Sequence, residues 1–216
     1  MERAVPARAV CGGWWKGKHQ ECSPGYAVLD LYNDGSFENG QPPASAWTEQ
    51  TNTSCEWIGD FSSGWSVAAY HGTYDFWAGG YCGDTSVPGT TSVTQNVYVP
   101  TYDARMSFRF LSYRPDADDA TAEDYAYVRV NGTQVWRRNM TQANDTYPNW
   151  ASTTVDLASW KGQTVSLAFG SISVGSTTGN VRFDFIGFPD LDQGLDKLKH
   201  HKVDLLMENG SHPLKY

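Results

Sequence analysis

A chain of 216 residues with 24 acidic against 16 basic side chains, net charge −8, has no Lys and Arg excess with which to hold a nucleic-acid backbone. No apolar run reaches the roughly 18 residues needed to cross a bilayer, so membrane insertion is not expected. Charged residues are only 19% and aromatics 14%, a balance that suits one sizeable β-domain with a tail.

Residues 1–25 read as an irregular lead, in which Cys11 and Cys22 bracket Gly12-Gly13-Trp14-Trp15. Met1 to Val10 is too short and too polar for a complete signal peptide, so export would require a signal that has been removed or lies outside the chain. Tyr26 to Leu31 is the first strand, and Asn33-Asp34-Gly35 turns the chain into Ser36 to Gly40. Ser66 to His71 and Tyr74 to Trp77 read as short strands. Ser92 to Val99 places Val93, Val97 and Val99 on one face. Ala104 to Tyr113 alternates Met106, Phe108 and Phe110 against Arg105, Ser107 and Arg109. Tyr125 to Arg137 is a hairpin about Asn131-Gly132, a pair that tolerates the positive φ angles of a type I′ turn. Thr153 to Leu157 is short, and Thr164 to Ser171 aligns Val165, Leu167 and Phe169. Val181 to Phe188 closes the series, with Val181, Phe183 and Phe185 alternating against Arg182 and Asp184.

Strands at this spacing, parted by Gly, Asn, Asp, Ser and Pro, predict an all-β antiparallel sandwich of the jelly-roll kind over 26–188. After Pro189 the period changes. Leu191, Leu195, Leu198, Leu205 and Leu206 recur at helical spacing, so 189–216 reads as a tail with a helix over about 190–208. That helix docks either on its own sandwich or on a partner, including a second copy of the chain.

Cys11, Cys22, Cys55 and Cys82 form an even set without a Cys-x-x-Cys pair, as in exported proteins. The neighbouring pairing, Cys11–Cys22 with Cys55–Cys82, is the expectation among three connectivities. Zinc held by Cys11, His19 and Cys22 is the alternative, at a spacing that fits no familiar finger. Sequons at Asn52, Asn131, Asn139, Asn144 and Asn209 permit glycosylation. Together these features place the protein outside the cell or on a virion surface.

Asn33-Asp34-Gly35-Ser36-Phe37-Glu38-Asn39-Gly40, followed by Trp47, resembles the opening motif of galactose-binding-like jelly-roll modules. His71 to Tyr81 with its Trp77-Ala78-Gly79-Gly80, Ser92 to Pro100, Ala104 to Phe110, Trp150 to Val165 with Asp156-Leu157-Ala158-Ser159-Trp160-Lys161-Gly162-Gln163, and Val181 to Phe188 resemble later segments of the same modules in the same order. Such modules are the carbohydrate-binding accessory domains of secreted bacterial peptidases and adhesins. The resemblance spans about residues 33–188 and leaves out the lead and the helical tail. It implies a structural Ca²⁺ between the opening motif and the last strand, on Glu38 and Asp184, with backbone carbonyls completing the six to eight oxygens calcium takes.

Catalytic signatures are missing. There is no Gly-x-Ser-x-Gly, His-Glu-x-x-His or phosphate-binding Gly loop. Glu123 and Asp124 follow Asp116, Asp118 and Asp119 in a polar stretch that reads as solvated rather than as a glycosidase pair. Ser66, His71 and Asp75 form a triad only on paper, so no enzyme is expected. Trp and Tyr faces stack on the C–H faces of pyranose rings. Of Trp57, Trp65, Tyr74, Trp77, Tyr81, Tyr147 and Trp150, the loop residues Trp57, Tyr81 and Tyr147 are the expected ligand contacts, while Trp77 and Trp150 suit the core. The expected function is a non-catalytic extracellular module that binds a glycan or mediates adhesion. The alternative is a structural subunit or attachment protein of a filament, pilus, sheath or virion surface, partnered by a cell-surface or assembly protein.

Overall fold

A computed structural model describes residues 28–30, 34–52, 57–79, 89–114, 124–174 and 179–189. The four cysteines, Tyr81, Asn209, the irregular lead and the helical tail lie outside the described residues.

The described chain forms β1 (Val28–Asp30), β2 (Thr48–Thr51), β3 (Ile58–Gly59), a single helical turn α1 (Ser62–Trp65), β4 (Asp75–Gly79), β5 (Gly89–Tyr98) and β6 (Arg105–Tyr113). Then come β7 (Tyr125–Val130), β8 (Thr133–Asn139), β9 (Ala151–Asp156), β10 (Thr164–Ser173) and β11 (Asn180–Pro189). One sheet runs β3-β4-β11-β6-β9, with β1 paired to the far end of β11; the other runs β2-β5-β10-β7-β8. Every pairing is antiparallel. The expected sandwich is therefore the fold.

Alternation puts the core between the sheets. Phe76, Met106, Phe108, Phe110, Val181 and Phe183 face Val93, Val97, Val128, Val165, Leu167 and Phe169, all buried. Phe169 is the hinge of this contact. Its ring lies edge-on to Phe108 at 5.1 Å and to Phe183 at 5.2 Å, the offset geometry that aromatic quadrupoles favour. The opening motif closes one end. Phe37 and Trp47 are buried with ring centroids 5.4 Å apart, and the Trp47 indole N–H donates to the Asp34 carbonyl at 2.7 Å. The hairpin turns as its dipeptide requires, with φ of 49° at Asn131 and 80° at Gly132.

Two expectations about strands fail. Ser66 to His71 is not a strand: α1 ends at Trp65 and an irregular stretch follows to Tyr74. Phe185 is not on the core face. The register of β11 against β6 shifts between Asp184 and Gly187, Phe185 takes φ of 50°, and Ile186 fills the core position instead. The extra residue of a bulge inverts the alternation beyond it.

Candidate functional site

On β4, β11 and β6 the residues that alternate away from the core are Asp75 and Trp77, Arg182, and Arg109, Leu111 and Tyr113. An outer sheet face of this composition is not left to water. The 60–73 stretch crosses it, held by the guanidinium of Arg182. Its Nε donates to both oxygens of Asp75 at 2.9 and 3.1 Å, its Nη2 also reaches Asp75, and its Nη1 donates to the Val67 carbonyl at 2.7 Å. Neither side chain of this pair is exposed. Burial pushes the Asp75 carboxyl up to about 6, against the pull of Arg182, so the carboxyl is mostly ionised at neutral pH. The planar guanidinium also lies under aromatic rings, 5.4 Å from Trp150, 5.6 Å from Trp65 and 5.8 Å from Phe61.

Two sets of rings reach solvent from this base. In the first, Tyr147 is 37% exposed, stands 4.7 Å from Tyr113 and 6.4 Å from Trp65, and donates its hydroxyl to the Trp65 carbonyl at 3.0 Å. In the second, Tyr70 is 42% exposed, with Trp150 at 6.3 Å and the Arg109 guanidinium 4.4 Å over its ring. The Trp150 indole donates to the Ala68 carbonyl at 3.1 Å. Both polar tips thus bond backbone of the crossing stretch, which fixes the planes of the rings. Fixed, partly exposed rings beside an arginine suit a flat ligand with apolar C–H faces and polar edges.

Glu38 and Asp184 meet at the same crossing stretch. Glu38 accepts the backbone N–H groups of Thr73 and Tyr74, and Asp184 accepts those of His71 and Phe185. Gly72, at φ of +72°, lies so close that a Cβ there would fall 2.2 Å from the Glu38 carboxyl carbon. The Gly35 carbonyl accepts the Ile186 N–H at 3.0 Å, tying the opening loop to the bulge. Asp184 is fully buried, and no cationic side chain pairs with it among the described residues. Burial pushes its carboxyl up to about 8, and the charges of Asp75 and Glu38 add to the rise. At neutral pH the group therefore holds a proton, which a bound cation would have to displace. The described residues hold no group of three or more His, Cys, Asp or Glu arranged for a metal, so a calcium ion on Glu38 and Asp184 would have to draw its other ligands from carbonyl oxygens.

The expected contacts divide. Tyr147 is on the surface, beside Trp65 and Tyr113. Trp57 is not: it is 2% exposed, its ring lies 6.2 Å from Trp77, and its carbonyl accepts the Trp77 N–H at 2.8 Å. Pairing at the sheet edge draws Trp57 into the core, where its ring offers no face to a ligand. Trp150, expected in the core, is partly exposed. The Ser66, His71 and Asp75 triad is not assembled, since Asp75 binds Arg182 and the His71 ring lies 5.4 Å from Phe185. Asp124 is no solvated acid: it is buried, accepting the Val174 and Gly179 N–H groups and pairing with Arg114. Asn52, Asn131 and Asn139 are exposed, while Asn144 is half-buried with its amide donating to the Asn139 carbonyl. Sequence reasoning missed Tyr70, Tyr113 and the Asp75–Arg182 pair. The available signal was Arg109 and Arg182 on the outward side of otherwise apolar strands.

No protein-family model and no curated protein matches the chain. Solved structures with similar folds include TmCBM61 in complex with β-1,4-galactotriose, at 14% identity and a TM-score of 0.47, over 74% of this chain and 99% of that one. The K1 cleaved adhesin domain of Lys-gingipain from Porphyromonas gingivalis W83 is similar at 17% identity and a TM-score of 0.45, over 70% of this chain and 93% of its own. A family 35 carbohydrate-binding module from an environmental isolate aligns at 16% identity with a TM-score of 0.38, over 70% and 96% of the two chains.

Proposed function

We propose that this chain is a non-catalytic, exported glycan-binding module whose ligand lies across the rings of Tyr147, Trp65, Trp150 and Tyr70. The observation that carries the reading is that these rings stand partly exposed with their orientations set beforehand: Trp65 and Trp150 by Arg182 beneath, Tyr147 and Trp150 by hydrogen bonds to the crossing stretch, and Tyr70 by the Trp150 ring and the Arg109 guanidinium. Rings already held in place lose little freedom on binding, so more of the stacking energy appears as affinity. Arg109, over Tyr70, supplies N–H donors to ring hydroxyls at one end.

Calcium belongs to the same reading as a structural ion on Glu38 and Asp184. It would supply positive charge where the opening loop, the crossing stretch and the β11 bulge meet. What supports it is a buried Asp184 with no cationic partner among the described residues. Glu38 and Asp184 orient the backbone of residues 71–74, and through it the adjacent Tyr70.

Affinity electrophoresis against soluble β-galactan, xylan and mixed-linkage glucan tests the binding. Retardation by at least one neutral glycan, weakened about tenfold or more in Tyr147→Ala or Tyr70→Ala, is expected for the loss of a stacked ring. Retardation that both variants retain in full would place the ligand elsewhere.

A further inference from the structure

The other outer face of the sandwich has different chemistry. On β7 the residues turned away from the core are Tyr125, Tyr127 and Arg129, and on β10 they are Ser166, Ala168, Gly170 and Ile172. Tyr127 lies across β10: a Cβ at Gly170 would sit 2.7 Å from its hydroxyl oxygen, so only glycine leaves room for the ring. The guanidinium of Arg129 covers the other side of that ring, 4.1 Å from the centroid, and Tyr127 is left 6% exposed although it faces outward. Arg129 makes no ion pair among the described residues. In a chain of net charge −8, this is a cation without a counter-charge, held flat by stacking.

One cross-strand row runs from Arg129 to Ala168, Thr94 and Thr48. At the usual strand spacing it spans about 14 Å. The small side chain of Ala168 leaves a trough in its middle. At the far end a cavity of about 360 Å³ opens, lined by Ala46, Thr48, Thr94, Gln95 and Asn96. A planar, bidentate cation thus stands at one end of the trough, with hydroxyl and amide groups at the other.

We propose that this face is a second glycan site, specific for an acidic polysaccharide strand. Arg129 takes the carboxylate of a uronate or the sulfate of a sulfated sugar, and the cavity by Thr48 and Thr94 takes hydroxyls of a neighbouring ring. The guanidinium edge matches either anion with two parallel hydrogen bonds, which an ammonium cannot do. The site shares no residue with the aromatic surface on the opposite sheet, so the two stand or fall separately.

Calorimetry of the full chain at low ionic strength, with polygalacturonate, dextran sulfate and uncharged dextran as probes, tests the proposal. Binding of one or both polyanions and not of dextran is expected, and the arm that binds names the anion. Arg129→Ala should weaken it about tenfold or more, as for a lost charge-assisted pair, with Arg129→Lys intermediate. Ala168→Leu, which fills the trough, should weaken it likewise, and Tyr147→Ala should leave it unchanged. Melting curves confirm that each variant is folded. Failure of both polyanions to bind, or binding that Arg129→Ala leaves intact, would overturn the proposal.

Discussion

The two outer faces of this sandwich begin from the same pattern and end differently. Both are the wet side of an alternating antiparallel sheet. On the six-stranded sheet the wet side holds Trp77, Leu111 and Tyr113, too apolar for water, and the 60–73 stretch buries much of it around Arg182 and Asp75. On the five-stranded sheet it holds Ser92, Thr94, Ser166 and Ala168, which remain at least partly exposed. Period-two alternation thus fixes which side chains leave the core, and their character decides whether more chain must cover them. The covered face gains rigid, partly exposed rings, and the bare face keeps a polar trough.

The sharpest way to break this contrast is to remove the ion pair that holds the covering stretch. Arg182→Met leaves Asp75 buried without its cation and should cost about 3–5 kcal/mol, read as a drop in the urea midpoint. A loss below about 1 kcal/mol would mean that the stretch is held without Arg182, by its aromatics and its hydrogen bonds to Glu38, Asp184, Tyr147 and Trp150.

The pH dependence of stability sharpens the account at the crossing of Glu38 and Asp184. Asp184 sits at about 8 in the folded protein, above the ordinary 3.8 of the unfolded chain. Between these values the folded state holds a proton that the unfolded chain has released. Stability in EDTA should therefore fall as pH rises from about 4 to about 8, by a few kcal/mol. Asp184→Asn should flatten the slope above about pH 6, while Asp75, at about 6, keeps part of it below. Calcium must displace that proton, so it should raise the melting temperature more at pH 8 than at pH 6. A flat profile in EDTA contradicts the buried-acid assignment, and an unchanged melting curve with Ca²⁺ removes the metal.

Gly72→Ala tests the cradle of Glu38. The left-handed backbone costs an alanine about 1–2 kcal/mol, and the new Cβ displaces the Glu38 carboxylate, so a destabilisation of that order is expected by thermal melting. Tyr147→Ala is the smallest of these changes in stability. Its exposed ring should cost no more than about 1 kcal/mol, while binding of a neutral glycan falls about tenfold. A large loss of stability here would turn the exposed rings into core.

Much of the sandwich was legible because β5, β6, β10 and the first half of β11 alternate without interruption. The hairpin was legible because Asn131-Gly132 is chemically suited to one turn. The crossing stretch was not. Trp65, Val67 and Ala69 are half-buried against more exposed Ser66, Ala68 and Tyr70, a strand's period, but the apolar side lies on another sheet and makes no ladder. Phe185 was misplaced because nothing in its neighbours announces a bulge. Trp57 was misplaced because β3, the two-residue strand that draws it inward, is too short for a periodic signal. The ion pair joins residues 107 positions apart, a contact that only the assembled sheet creates.

The central claim, that the aromatics over Arg182 form the glycan surface, is tested most directly by the indole N–H resonances of the nine Trp residues during titration with the best-retarding neutral glycan. The account predicts that Trp65 and Trp150 shift with one common affinity while Trp47 and Trp57, both buried, stay in place. Binding that leaves Trp65 and Trp150 unmoved would contradict it.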